Sequence, residues 1–269
     1  MKVPKPNLNV IELAIIAAPL LVVSYLVGVG HTQFRVLPFL SHDNSEIDAL
    51  EKKYGPSRVS QGVEEWILKD FFHDRRNGVF VDVGANHHQT GSNTYYLESV
   101  MGWSGVAIEP QVKFAAGYKE HRPRTSFVPL FVSDVSDEQA TLYVTKNDLV
   151  SSGVRQFTES WGDVTETTVT TSTLDDVLDR LKIEQVDFLS MDIELAEPKA
   201  LAGFSIGRFA PALVAIEAHA PVRQQILDYF ARHGYVLVGR YWRADAKNFW
   251  FAPVGQSGED ASLVADHAH

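Results

Sequence analysis

The feature that most constrains this chain is an alternation of short apolar runs with helix-length intervals. Strand-like runs fall at Val79 to Val83, Val106 to Ile108, Ser126 to Val132, Val186 to Met191, Ala212 to Glu217, Tyr235 to Val238 and Asn248 to Ala252. Strands separated by helical crossovers must lie mostly parallel, in a sheet covered on both faces. The expectation is therefore a doubly wound, Rossmann-like α/β domain. Helix boundaries carry local signals. Thr173 and Asp176 resemble a capping box ahead of Leu174, Val177 and Leu178, Pro198 suits a first helical turn, and Gly234 ends a helix expected from about Pro221 to His233. Between Thr141 and Thr171 the pattern changes to short β-like pieces, Leu142 to Val144 and Thr167 to Val169, around Ser151-Ser152-Gly153. That is read as an insertion beside the site.

In such a sheet ligands lie outside the carboxyl ends of the strands. The first strand ends Asp82-Val83-Gly84-Ala85-Asn86, the second ends Ile108-Glu109-Pro110, and the third ends near Ser133-Asp134. A carboxylate at Glu109 can accept both hydroxyls of a ribose, and Asp134 suits an adenine amino group. A dinucleotide would need several glycines to bring backbone against its pyrophosphate. Here Gly84 stands alone after an acid that would repel phosphate, which favours the amino group and sulfonium of S-adenosylmethionine over a nicotinamide cofactor. The plainer alternative is a strand-to-helix turn at Asp82 and Gly84 with solvated acids at Glu109 and Asp134.

The residues from Phe80 to Pro110, FVDVGANHHQTGSNTYYLESVMGWSGVAIEP, resemble the first two motifs of the FkbM-type S-adenosylmethionine-dependent methyltransferases. The resemblance continues through Ser172 to Asp176, Val186 to Glu194, Glu197, Leu201 to Gly203, Ile216 to His219 and Gly234-Tyr235. It implies a class I methyltransferase fold in which Asp82, Gly84 and Asn86 line the methionine part of S-adenosylmethionine, Glu109 its ribose, and Ser133 and Asp134 its adenine end. Two positions depart from the family pattern. Ser190 stands where a lysine is usual, and Leu195 where a glycine is usual, so the pocket under that loop is expected to differ.

Asp192, Glu194 and His219 are the candidate catalytic residues, with Asp192 and His219 the leading choices for the base that takes a proton from a hydroxyl acceptor. Asp192, Glu194, Glu217 and His219 could gather around a divalent cation, but they lack a tight ligand spacing and no metal is assigned. The acceptor is expected to be a hydroxyl on a glycan, a lipid headgroup or a lipid-linked metabolite. A non-catalytic scaffold, suggested by Ser190 and Leu195, and an NAD-dependent oxidoreductase are the alternatives.

The net charge of -10 argues against a nucleic-acid partner, because phosphate binding needs a basic stripe. No cysteine is present, which excludes disulfides and thiolate metal sites. From Val10 to Gly30 the chain carries about the ~20 apolar residues that cross a bilayer, interrupted by Glu12 and Pro19. The organisation expected is thus a single-pass N-terminal transmembrane helix as membrane anchor (1–30), a linker (31–61) holding a short helix around Ile47 to Tyr54, the methyltransferase domain (62–255) and a flexible tail (256–269). Lys2 and Lys5 ahead of the span would place the domain outside the cytoplasm by the positive-inside rule. The cofactor argues for a cytoplasmic domain at the membrane, which is the localisation expected.

Overall fold

A computed structural model describes residues 44–73, 75–146 and 150–255. The anchor and tail expected from the sequence lie outside them, and no helix among the described residues is long and apolar enough to cross a membrane.

Two helices open the described chain, α1 (Asn44–Tyr54) and α2 (Glu64–Phe72). The main sheet follows, built from β1 (Val79–Val83), β2 (Ser104–Ile108), β3 (Thr125–Val128), β8 (Phe188–Met191), β9 (Leu213–Glu217), β10 (Tyr235–Leu237) and β11 (Asn248–Pro253) in the order β10-β11-β9-β8-β1-β2-β3. All neighbours are parallel except at β11, which is antiparallel to β9 and β10. Strand order reverses at β1, so the switch point lies between β1 and β8, where a doubly wound sheet opens its ligand crevice.

Alternation along each strand divides the interior into two layers. Val81, Val83, Leu189, Met191, Val214 and Ile216 face one side, where they meet α6 (Leu174–Arg180), α7 (Glu197–Ala202) and α9 (Arg223–Arg232) through Val177, Leu178, Leu201, Ile226 and Phe230. Phe80, Phe188, Leu213 and Ala215 face the other, against α1, α2, α3 (Tyr95–Ser99) and α10 (Gly239–Ala244), with Trp66, Ile67, Trp103, Tyr241 and Trp250 fully enclosed. The Thr173 hydroxyl accepts from Asp176 N–H at 3.1 Å, the cap read from the sequence.

The short helix expected within 31–61 is α1, which packs on the domain: Leu50 is buried in the core and Arg243 pairs with Glu46 at 2.8 Å. Two expectations are corrected. The run Ser126 to Val132 is not one strand: Pro129, which has no N–H for a ladder, separates β3 from β4 (Phe131–Val132). The β-like pieces of the insertion extend into β5 (Gln139–Thr145) and β7 (Val164–Ser172), which form with β4 and β6 (Ser151–Ser152) a second sheet of order β4-β7-β5-β6. α4 (Ala115–His121), α5 (Arg155–Glu159) and α8 (Ile206–Phe209) complete the elements named below.

Candidate active site

A cavity of about 280 Å³ opens at the switch point. Asp82, Gly84, Asn86, Glu109, Asp192 and Glu194 all line it, so one hollow joins the ends of β1, β2 and β8. Gly84 has φ +83°, and a Cβ there would come within 1.8 Å of the Asp192 carbonyl oxygen. Glycine is required because the turn after β1 passes directly against the loop after β8.

Asp82 pairs in register with Ser190 on the neighbouring strand, so the two side chains leave the sheet on the same face. The carboxylate is 4% exposed, and the Thr94 hydroxyl donates to it at 2.8 Å. Burial pushes its pKa up to about 6, against the opposing effects of Thr94 and the charge of Arg122. Among the described residues no cation lies at ion-pair distance from it. Where a lysine is usual in the family the resemblance invoked, Ser190 instead accepts from Asn93 Nδ2 at 3.1 Å.

Glu109 is also buried, and its two oxygens accept backbone N–H groups from Gln111 at 2.9 Å and Asn86 at 3.2 Å. Burial raises its pKa while those N–H groups oppose the rise. Each oxygen keeps a lone pair for a hydroxyl. Asp134 is brought to no such place: it is exposed, outside the cavity lining, beside the Ser133 hydroxyl at 3.0 Å and Lys199 at 4.0 Å. Ser133 is buried but likewise off the lining. The third-strand side of the cavity is walled by Phe131, Val132, Leu142 and Ser151.

At the other end four carboxyl groups crowd together. Asp192 is raised well above the carboxylate range by burial and then by Glu217. Glu194 is pushed to about 7 by burial and then by Asp192. Glu217 reaches about 8 by burial and then by Glu194, and Glu197 about 8 chiefly by burial. His219 Nε2 lies 3.0 Å from Glu194 Oε2 and 2.9 Å from Glu217 Oε2. Burial, then Arg223 and Lys247, hold the imidazole below its ordinary value. The sequence-predicted trio Asp192, Glu194 and His219 is thus drawn together, with Asp192 and Glu194 on the cavity wall.

Several contributors were missed from sequence. Arg122, 1% exposed, pairs with Glu98 and donates to the His88 carbonyl at 2.9 Å and the Thr94 carbonyl at 3.2 Å, pinning the loop from Asn86 to Thr94 that rims the cavity. Nothing local marks it, since its partners lie more than twenty residues away. Glu64 is a buried acid on the lining, held by Gly62 N–H at 2.7 Å and Asn248 Nδ2 at 3.2 Å. The insertion reaches the site as well: the Ser152 hydroxyl donates to the Glu194 carbonyl, and the Phe157 ring lies 5.1 Å from that of His219.

Residues 82–237 match the Methyltransferase FkbM domain. No curated protein matches the sequence. Solved structures with a similar chain path include a precorrin-6y C5,15-methyltransferase from Geobacter metallireducens, at 10% identity over 65% of this chain and 72% of that one, with a TM-score of 0.39. A TehB-like SAM-dependent methyltransferase from Corynebacterium glutamicum is 14% identical over 79% of this chain and 97% of its own, with a TM-score of 0.41.

Proposed function

The chain belongs to the FkbM methyltransferase family, and from that premise we propose that it moves a methyl group from S-adenosylmethionine to a hydroxyl oxygen. The observation that carries the cofactor is Asp82, a buried carboxylate on the cavity wall with no cation at ion-pair distance among the described residues. A positively charged ligand offsets that burial, whereas a pyrophosphate would aggravate it. Glu109, fixed by two backbone N–H groups, has the remaining acceptor capacity for a pair of ribose hydroxyls. Phe131 and Leu142 supply an apolar wall for a base. The residues therefore fit S-adenosylmethionine, which supplies an electrophilic methyl on a sulfonium.

Methyl transfer to oxygen asks the protein to align the acceptor, exclude water and accept one proton. We assign that proton to Asp192, which lines the cavity and whose affinity for a proton is raised by burial and then by Glu217. Glu194 lines the same wall and holds His219 in place. The acceptor class is read from the sequence: a hydroxyl on a glycan, lipid headgroup or lipid-linked metabolite, presented near a membrane by the apolar segment from Val10 to Gly30.

Calorimetric titration of the full chain with S-adenosylmethionine, and in parallel with NAD, tests the cofactor. Saturable binding of the first alone is expected; absence of binding would end the enzyme reading in favour of a scaffold. Mass spectrometry of lipid and glycan extracts from cells with and without the gene then tests the acceptor, through a species heavier by one methylene unit. If that species persists in cells carrying only Asp82→Ala protein, the site assignment fails.

A further inference from the structure

We propose that Glu194, Glu217 and His219 form a binding site for one divalent cation at the edge of the cavity. One ligand atom from each lies within 4.8 Å of the others. His219 Nε2 faces Glu194 Oε2 at 3.0 Å and Glu217 Oε2 at 2.9 Å. Two donors on adjacent vertices of an octahedron, each about 2.1 Å from a metal, stand about 3 Å apart, which is the spacing of both pairs.

Hydrogen bonding accounts for only half of this convergence. One ring nitrogen carries at most one proton, and only the Glu194 contact has hydrogen-bond geometry. Glu217 is 8% exposed, and its Oε2, the atom aimed at His219, is buried without a hydrogen-bond partner. A buried carboxylate oxygen left in that condition is costly and calls for a counter-ion. Among the described residues no lysine or arginine stands at ion-pair distance: Lys247, exposed on the cavity wall, acts on these acids only from farther off, and Arg223 Nε is engaged by the Ala218 carbonyl at 3.1 Å.

The three ligands are held by the fold. Glu217 ends β9, His219 follows two residues on, and Glu194 sits in the turn after the adjacent β8 with its carbonyl fixed by Ser152. One imidazole with two carboxylates is a donor set for Mn²⁺, Co²⁺ or Zn²⁺ rather than for an all-oxygen ion such as Ca²⁺. If the methyltransferase reading holds, and this role rests on it, a cation there takes the acceptor oxygen and lowers its proton affinity. The O–CH₃ bond then forms as the S–CH₃ bond breaks, the electron pair going to sulfur and the hydroxyl proton to Asp192.

The test uses Mn²⁺ alone, with the full chain, by calorimetry and electron paramagnetic resonance. The expected result is one Mn²⁺ per chain, with a nitrogen coupling from the imidazole. Loss of a ligand should weaken binding at least as much as the 10–100-fold typical of outer partners, in both Glu194→Gln and His219→Ala. Glu194 is on a partly exposed turn, so its variant serves if His219→Ala does not fold. Equal Mn²⁺ affinity in wild type and Glu194→Gln, or a signal without nitrogen coupling, overturns the site. Titrating the same samples with S-adenosylmethionine reads the methyltransferase proposal separately, so either can fail alone.

Discussion

Asp82→Asn should make the ligand-free protein more stable while weakening the proposed cofactor site. The carboxyl is 4% exposed, and its pKa stands at about 6 in the fold against an ordinary 3.8. A raised folded pKa means that ionisation is disfavoured by folding. The cost is fully present above pH 6, shrinks as pH falls, and vanishes below 3.8. About two units correspond to about 3 kcal/mol. Asparagine keeps the shape and can still accept the Thr94 hydroxyl, but carries no charge. Thermal unfolding at pH 8 should therefore show the variant more stable by up to about 3 kcal/mol, a rise of about 6 to 12 °C for a domain of this size. The difference should close toward pH 4, and comparing variant with wild type removes the titration of the other acids. Binding of S-adenosylmethionine should meanwhile weaken by about 30-fold or more, the loss expected when one partner of an enclosed charge pair is removed. A variant less stable than wild type at pH 8, or a difference that ignores pH, would refute the reasoning.

Other outcomes follow from single contacts. Leu195 has φ +77°, the left-handed region that costs a side chain about 1–2 kcal/mol; Leu195→Gly should melt about 2–8 °C above Leu195→Ala, the alanine retaining the strained Cβ. Glu98→Gln leaves the Arg122 guanidinium buried without its counter-charge, and urea unfolding should register a loss of about 3–5 kcal/mol. Glu109→Gln should weaken S-adenosylmethionine binding about 10-fold to 100-fold, as expected for hydrogen bonds to a charged group, whereas Asp134→Ala, on an exposed residue outside the cavity, should leave the calorimetric affinity unchanged.

What was legible in the sequence was whatever a local period encodes. Short continuous apolar runs separated by helix-length intervals specify the parallel sheet, and the acids at strand ends fall on its carboxyl edge because a strand must end where its apolar run ends. Asp82 and Glu109 reached the cavity for that reason. Asp134 did not, because Pro129 breaks the third run before the edge and the chain re-pairs with β7 in a different sheet. Arg122 was silent for another reason: its work is to hold a loop roughly thirty positions earlier, and no periodicity carries a contact of that range. The Leu195 departure was visible as a residue type, but only the fold reveals that leucine keeps the left-handed backbone expected of glycine, so the loop holding Glu194 retains its turn at an energetic cost.

Side-chain direction explains why so much negative charge meets at one edge. In β1, β8 and β9, Asp82, Ser190 and Glu217 occupy the positions that alternate with the apolar residues of the first core layer, and Asp192 continues the phase of Ser190 beyond its strand. Moving any of them by one residue would bury a carboxylate among Val83, Met191 and Ile216. Fixed instead on the opposite face, they enclose a space lined by acids at both ends, with a serine where a lysine would have neutralised Asp82. Such an edge is unstable against its own repulsion unless protons or ligands supply positive charge. The two proposals each supply a source, a sulfonium cofactor at Asp82 and a divalent cation at Glu194, Glu217 and His219. They should therefore stabilise the protein in combination: binding of either lowers the field felt at the other site less than it relieves the local acids, because Asp192, at the end of the intervening β8, remains to be offset.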